Sequence, residues 1–377
     1  MHRIVALAGG VGGSRFARGL KAAAPDAELT VVVNTGDDVT LHGLRISPDV
    51  DTVLYALSGV VDEKRGWGPR GDTFLAMDAL ERLGGETWFR LGDKDLATHI
   101  RRTELLAAGW PPGQITREFA QRLGIAGVTI LPMTDSPVET WVQLDEDGAG
   151  SLGHQDNALS LEGTPSPSLT EDGAKLHKRV PTGEDGRWVH FQEYFVHRRT
   201  DVPIRAVDVR GISEAAPAPG LLEALGSADV IVICPSNPFV SVNPILQVPG
   251  VRDAIAAARR RGVQVAAVSP IIGGATIKGP AARMLTELGY EPSATGVVSV
   301  YDGLVDVFLI DPLDAAQADA IALLGARPVM ADALMKGRRG EARLARVLLS
   351  ACSPSVASRR SGGPGRPPRS AGAPGRS

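Results

Sequence analysis

The sequence predicts an α/β protein with a Rossmann-like, mainly parallel sheet and helices on both faces. Four apolar runs are strand-sized and rich in β-branched residues: 4–7, 29–33, 229–234 and 263–268. Because none of them alternates with polar residues, each run is typical of a strand that is covered on both faces. Helical patterns at 14–24 and 251–261 follow two of these runs. Alternation of strands and helices is typical of a parallel sheet.

Composition and length favour one large domain. The chain has 377 residues, of which 43% are apolar and 22% charged, enough to close a substantial core. We predict a single domain over 1–350 with a helical insertion at about 52–125. A Gly-, Pro- and Ser-rich stretch at about 145–187 predicts a mobile excursion. The arginine-rich segment 351–377 is too poor in apolar residues to fold, so we expect a disordered basic tail.

Charge and hydropathy exclude several classes of protein. The tail holds five arginines and no acid, so the rest of the chain is more negative than the formal net charge of −3, which argues against nucleic acid as a partner. No apolar run approaches the roughly 20 residues of a membrane span. The amino terminus has no secretory signal pattern, and the two cysteines cannot form a disulfide framework. We therefore expect a cytoplasmic protein.

The predicted insertion contains four helical patterns near 52–58, 72–83, 94–108 and 114–123. Asp72 and Asp93 stand at the start of two of them and are the predicted N-caps. After the insertion, residues 138–144 and 188–196 alternate in polarity, which predicts a small antiparallel hairpin.

A glycine cluster follows the first predicted strand. We predict that Gly10, Gly12 and Gly13 bind a phosphate, because backbone amides at a helix N-terminus attract anions. The alternative is a tight turn that serves packing only. A dinucleotide-binding fingerprint would need a third glycine where Arg15 stands and an acid where the second strand ends at Asn34. The cluster is therefore weak support for an NAD enzyme.

Four carboxylates follow the second predicted strand, namely Asp37, Asp38, Asp49 and Asp51. Ligands bind at this carboxyl edge in open α/β sheets. Carboxylates beside a phosphate site are typical ligands of Mg²⁺, so we predict Mg²⁺ as a cofactor. The alternative is that these residues cap helices and stabilise turns.

Seven motifs in consistent order resemble the 2-phospho-L-lactate transferase family of coenzyme F420 biosynthesis. They are GGVGGS at 9–14, NTGDD at 34–38, SPDVDT at 47–52, LGDKDLA at 91–97, HFQEYFV at 190–196, PSNP at 235–238 and SPIIGG at 269–274. The resemblance spans about 3–350.

The resemblance implies transfer of a phospholactyl or phosphoenolpyruvyl group from a guanosine diphosphate-activated donor to the deazaflavin alcohol Fo, with release of GMP. It implies that Asp51 and Arg90 bind the deazaflavin and that the Asp37 region, with Asp38, binds Mg²⁺. Asp37 and Asp51 are the predicted catalytic residues, since Asp51 could accept the hydroxyl proton. A homodimer is also implied.

Two turns that follow predicted parallel strands are further candidate contacts for the nucleotide. The first contains Ser236 and Asn237, and the second runs from Gly274 to Lys278. Other residues favour structural interpretations. His99 is predicted to pack within a helix, and three aromatic residues, Phe191, Tyr194 and Phe195, are predicted to belong to the core or to a subunit interface.

Two other functions stay open at this point. A non-catalytic nucleotide-sugar-binding regulator would share the glycine loop and the double aspartate, but would not need the segment 47–52 or Arg90. An NAD-linked oxidoreductase comes third. Nothing in the sequence separates a lactyl from an enolpyruvyl donor.

Overall fold

The computed structural model describes residues 2–145, 187–276 and 279–352. The predictions for the excursion and the basic tail fall almost entirely on residues outside these ranges. Lys278 is outside them as well.

Fourteen strands are present in the described residues. They are β1 Arg3–Ala8, β2 Glu28–Val33, β3 Val39–Leu41, β4 Leu44–Ile46, β5 Val128–Pro132, β6 Glu139–Leu144, β7 Trp188–His190, β8 Ile204–Arg210, β9 Val230–Ile233, β10 Gln264–Val268, β11 Ile271–Ile272, β12 Ala275–Thr276, β13 Val307–Ile310 and β14 Arg327–Met330.

Twelve α-helices connect them within the same ranges. They are α1 Val11–Ala23, α2 Pro48–Ser58, α3 Leu75–Arg82, α4 Asp93–Ala107, α5 Pro112–Arg122, α6 Leu221–Ser227, α7 Asn243–Gln247, α8 Val251–Arg260, α9 Ala281–Glu287, α10 Ala294–Val300, α11 Ala318–Leu323 and α12 Gly337–Ala351.

Seven strands form one parallel sheet in the order β14-β13-β10-β9-β1-β2-β5. This confirms the predicted α/β class. Within β1, Val5 and Leu7 belong to one hydrophobic cluster, whereas Ile4, Ala6 and Ala8 belong to another. Both faces of the strand are therefore buried, which is why its apolar run does not alternate.

The helical insertion contains α2 to α5, close to the predicted helices, but its two caps are exchanged. The Asp93 carboxylate accepts hydrogen bonds from the N–H groups of Leu75 (3.1 Å) and Ala76 (3.0 Å) at the start of α3. The Asp72 carboxylate accepts from the N–H groups of Lys94 (2.7 Å) and Asp95 (3.1 Å) at the start of α4. Each aspartate therefore caps the helix that the sequence assigned to the other.

The predicted antiparallel hairpin is part of a three-stranded sheet in the order β7-β6-β8. Strand β6 pairs with β7 as predicted, but β7 ends at His190, and residues 193–197 form a π-helical turn. The rings of Phe191 and Phe195 stack with centroids 5.6 Å apart. Because residues four apart share a face in both a strand and a helix, the alternation could not distinguish the two.

Candidate functional site

A cavity of about 770 Å³ lies where β1, β2, β9 and β10 end at their carboxyl edge. Residues that follow each of these strands line it, for example Gly10, Asp37, Ser236 and Ser269. The insertion and the segment after β7 close the other side. The cavity therefore lies at the edge where parallel α/β sheets bind ligands.

The glycine loop forms one wall of the cavity at very close range. A Cβ on Gly10 would lie 2.5 Å from Asp49 Oδ1, and one on Gly12 would lie 2.2 Å from the carbonyl oxygen of Pro235. Gly13 lies behind them, where a Cβ would meet Ser236 Oγ at 2.9 Å. Helix α1 begins at Val11, so its first amides have no acceptor within the helix. Gly10, Val11 and Gly12 line the cavity. Such amides are suited to bind a phosphate.

The four predicted carboxylates separate into two groups. Asp37, Asp49 and Asp51 line the large cavity. Asp38 instead lines a second cavity of about 250 Å³. Its Oδ2 accepts hydrogen bonds from Ser47 Oγ (2.7 Å) and from Arg45 (3.4 Å). The structure therefore brings Asp37 together with Asp49 rather than with its sequence neighbour.

Asp37 and Asp49 are buried, with 4% and 8% of their surfaces exposed. Burial raises the pKa of Asp37 well above its usual range, and the nearby charge of Asp49 raises it further. Burial raises the pKa of Asp49 to about 7 although Asn34 donates a hydrogen bond to it (3.0 Å). Two desolvated carboxylates that face a cavity repel each other unless a proton or a cation lies between them.

The carboxylates at the cavity could supply part, but not all, of the ligands of a Mg²⁺ ion. Among the described residues, no three His, Cys, Asp or Glu side chains are grouped closely enough to hold a metal ion. However, Mg²⁺ is often bound through one or two carboxylates together with waters and substrate phosphates. Asp37 Oδ1 is buried without a hydrogen-bond partner, so it is available as an oxygen ligand. Asp37 and Asp49 are therefore the residues that would hold the ion beside a bound phosphate.

Asp51 lies at the other end of the same wall and is neutralised. Arg102 donates to both of its carboxylate oxygens, to Oδ2 at 2.9 Å and to Oδ1 more closely. His99 lies between two carboxylates, with Nδ1 3.6 Å from Asp51 and Nε2 3.5 Å from Asp95. Tyr55 donates its hydroxyl proton toward Asp95 (2.7 Å). His99 thus packs within α4 as predicted, but it also lines the cavity.

Aromatic side chains form the outer wall. Trp67, Trp88, Phe89, Phe191 and Phe195 all line the cavity. The sequence favoured a core or interface location for the aromatic residues after β7. Tyr194 is indeed fully buried. Phe191 is buried as well, with 4% of its surface exposed, whereas Phe195 is 39% exposed and stacks on it; both residues line the cavity.

Arg90 is the cation of this outer wall. Its guanidinium pairs with Asp78 at 2.8 Å and lies 5.0 Å from the ring centroid of Phe74. Asp51 and Arg90, which the resemblance assigns to deazaflavin binding, therefore open onto the same cavity.

The predicted nucleotide turns are only partly at the cavity. Ser236 and Asn237 line it. The Asn237 side chain is already occupied in part, because its Oδ1 accepts the N–H of Phe239 at 2.9 Å. Gly274 is not among the lining residues, and the N–H of Gly273 donates to Asp314 (3.1 Å).

Two cationic residues at the cavity were not predicted. Arg15 donates to the carbonyl oxygen of Met335 (2.7 Å) and to Glu341 (3.0 Å), and this holds the segment before α12 against the glycine loop. Lys336, in that segment, also lines the cavity. No recognisable motif surrounds Lys336, so the sequence offered no signal for it.

In the part of the chain that the structure describes, no helix has the length and apolar character that crossing a bilayer requires.

Comparison with known proteins finds a family match over most of the chain. A family model described as 2-phospho-L-lactate transferase CofD matches residues 4–348. The chain is 44% identical to a phosphoenolpyruvate transferase of Streptomyces griseus, over 86% of this chain and 90% of that protein. It is 35% identical to a 2-phospho-L-lactate transferase of Methanosarcina mazei, over 92% of this chain and all of that protein.

A solved structure shares the fold. A protein of the upf0052 family from Bacillus halodurans superposes with a TM-score of 0.57 at 17% identity, over 92% of this chain and 98% of that one. This likeness concerns architecture alone. The family match, in contrast, extends over residues 4–348 and so includes all seven motifs. The chain therefore belongs to the 2-phospho-L-lactate transferase CofD family, whose members are transferases of coenzyme F420 biosynthesis.

Proposed function

We propose that the protein transfers a phosphoenolpyruvyl or phospholactyl group from a guanosine diphosphate-activated donor to the deazaflavin alcohol Fo. The observation that carries the proposal is one cavity in which a glycine loop, a pair of buried carboxylates and an aromatic wall meet. These three features suit a diphosphate, a cation and a planar ring system, respectively.

The donor binds at the sheet side of the cavity in this proposal. Its diphosphate lies against the amides of Gly10, Gly12 and the first turn of α1, with Lys336 at the rim. Ser236 and Asn237 contact the nucleotide from the turn after β9. In this arrangement the helix-terminal amides and the lysine stabilise the negative charge of the diphosphate. They thereby stabilise GMP as the leaving group.

The acceptor binds at the insertion side. The deazaflavin ring stacks against Phe195, Phe191 or Trp88, while Arg90 and Asp51 hold its polar groups. The ribityl hydroxyl then faces the donor phosphorus from the side opposite GMP. Alignment of this kind supplies a large part of the rate in phosphoryl transfer.

The chemistry is a displacement at phosphorus. A new bond forms between the ribityl oxygen and the phosphorus of the transferred group, and the bond from that phosphorus to the GMP oxygen breaks. Asp51 accepts the hydroxyl proton in this proposal. Asp37 and Asp49 would hold Mg²⁺, and the bound ion would supply positive charge to neutralise the phosphate oxygens.

The sequence identity to the relatives favours one of the two donors. Phosphoenolpyruvate transferases of Streptomyces share 42–44% identity with this chain, whereas the 2-phospho-L-lactate transferases of two Methanosarcina species share 35% and 37%. We propose the enolpyruvyl donor first. A homodimer and a cytoplasmic location stay predictions from the sequence.

The test is a product assay. The protein is incubated with Fo, Mg²⁺ and either the enolpyruvyl or the lactyl diphosphoguanosine donor, and the deazaflavin products are identified by mass. The proposal expects dehydro-F420-0 and GMP in equal amounts from the enolpyruvyl donor. Absence of any phosphorylated deazaflavin with both donors would refute it.

A further inference from the structure

Asp51 is held by side chains that come from a different helix. It lies in the first turns of α2, whereas Arg102 and His99 both belong to α4. Arg102 donates to both Asp51 oxygens, and its Nη1 lies 3.4 Å from His99 Nδ1. All three side chains are buried, with 4%, 5% and 1% of their surfaces exposed in the order Asp51, Arg102 and His99.

The opposite end of this group is anchored as well. Asp95 accepts the Tyr55 hydroxyl and lies beside His99. Burial opposes the charge of Asp95, but hydrogen bonding and attraction from His99 outweigh it and lower the pKa of Asp95. The ring of His99 therefore lies between two carboxylates, one on each side, with 1% of its surface exposed.

Arg102 also separates the two cavities. It contributes to the wall of the smaller cavity, next to Asp38 and Thr116, while its partner Asp51 faces the larger one. Its guanidinium lies 5.6 Å from the ring centroid of Phe119, which limits its movement on that side. A planar, two-pronged donor fixed in this way sets both the position and the plane of the carboxylate that it binds.

We infer that Arg102, supported by His99, is a positioning residue that aims the Asp51 carboxylate at the acceptor hydroxyl. This inference rests on the proposed function. It assigns Arg102 no contact with substrate, because its guanidinium is directed at Asp51 and the second cavity. The arrangement explains why a carboxylate that is fully neutralised by an arginine nevertheless faces the substrate cavity.

A double-mutant cycle tests the inference. Removing a positioning residue from a reacting group typically costs about 100-fold, so we expect Arg102→Met to lower kcat/KM for Fo by about 100-fold while KM for the donor stays unchanged. Arg102→Lys, which keeps the charge but loses the fork, should recover only part of this loss. In an Asp51→Asn background, the further change Arg102→Met should alter kcat/KM by less than about threefold.

Chemical rescue by free guanidinium is an independent test, because Arg102 lines the second cavity. Arg102→Ala removes the side chain beside a space of about 250 Å³, into which a free guanidinium ion can enter. We expect millimolar guanidinium, far below the molar concentrations that unfold proteins, to restore part of the activity of Arg102→Ala with saturation. The same addition should not restore Arg102→Ala, Asp51→Asn.

Arg259→Ala is the matched control. Arg259 makes a similar fork to Asp306 at 2.6 to 3.2 Å and does not line the cavity, so its loss should affect stability without a guanidinium-dependent change in kcat/KM for Fo. Equal losses from Arg102→Met with and without Asp51, or no rescue of soluble Arg102→Ala, would overturn the inference. If the wild-type protein forms no product, the proposed function fails instead, and the two failures are thereby distinguished.

Discussion

At the scale of single residues, the four carboxylates after β2 differ in how their charge is balanced. Asp38 pairs with Arg45, and Asp51 pairs with Arg102. In the described ranges neither Asp37 nor Asp49 has an ion-pair partner. Such a pair of uncompensated carboxylates beside a phosphate loop is suited to a divalent cation.

This difference predicts which aspartates control the dependence on Mg²⁺. We expect Asp37→Asn and Asp49→Asn each to lower kcat by about 100-fold or more, because charge neutralisation in the transition state is lost. Each should also raise the Mg²⁺ concentration at half-maximal rate, measured by titration of the initial rate. Asp38→Asn discriminates the alternatives. If it raises that concentration and Asp49→Asn does not, the sequence prediction of Asp37 with Asp38 is the correct pair.

The same residues predict how stability depends on pH. A carboxyl group whose pKa is raised by folding binds its proton more tightly in the folded state, so stability falls as pH rises. For Asp49, displaced from 3.8 to about 7, the loss develops between about pH 4 and pH 7 and is on the order of 4 kcal/mol. Metal-free protein should therefore melt at a higher temperature near pH 5.5 than near pH 7.5.

Asp49→Asn is the comparison for that measurement. The variant cannot ionise at this position, so its melting temperature should change less between the two pH values. The melting temperature of the variant should also exceed that of the wild type at pH 7.5 without Mg²⁺. A wild-type melting temperature that rises over this interval in step with the variant's would contradict the assignment.

At the scale of elements, the exchanged caps of α3 and α4 connect two consecutive helices. Asp93 is within α4 but accepts the first amides of α3, and Asp72, which precedes α3, accepts amides at the start of α4. Loss of a capping carboxylate costs about 1 kcal/mol, so Asp72→Ala and Asp93→Ala should each lower the free energy of unfolding by about that amount.

Hydrogen exchange identifies which helix each aspartate caps. We expect Asp93→Ala to accelerate exchange of the Leu75 and Ala76 amides, and Asp72→Ala to accelerate that of the Lys94 and Asp95 amides. The sequence predicted the opposite pairing. If Asp93→Ala instead accelerated amide exchange only in the first turn of α4, the pairing predicted from the sequence would be correct.

The helices and strands of this fold follow from local patterns, whereas its contacts do not. Buried β-branched runs marked β1, β2, β9 and β10, because strands covered on both faces leave a continuous apolar signal. Strand β8 was missed because its sequence IRAVDVR is half-exposed and separated from its partner β6 by a long connection. The glycine loop and the carboxylates could be placed at one sheet edge from topology. Which carboxylate faces the cavity could not, since Asp37 and Asp38 are adjacent in a turn whose geometry depends on Ser47 and Arg45.

At the scale of the whole molecule, the cavity is assembled from three distant parts of the chain. The sheet half contributes the anion-binding loop and the turn after β9, the insertion contributes Asp51 and Arg90, and the turn after β7 contributes Phe191 and Phe195. Each substrate therefore has its own side of the cavity in the proposed function. Substitutions on one side should affect the binding of one substrate and spare the other.

Phe195 provides the sharpest case, since 39% of its surface is exposed and it is stacked on Phe191. Loss of an aromatic stacking partner costs about 1 kcal/mol or somewhat more, so Phe195→Ala should raise KM for Fo by about 10-fold and leave KM for the guanosine donor unchanged. The sequence instead favoured the core or a subunit interface. An interface residue predicts a smaller assembly in analytical ultracentrifugation, with KM for Fo unaltered. Leu83→Ala, at an 85% exposed residue outside the cavity, is the control for removal of a surface apolar group. Because the two interpretations change different measurements, kinetics and sedimentation of the same variant decide between an aromatic wall for the acceptor and a contact between subunits.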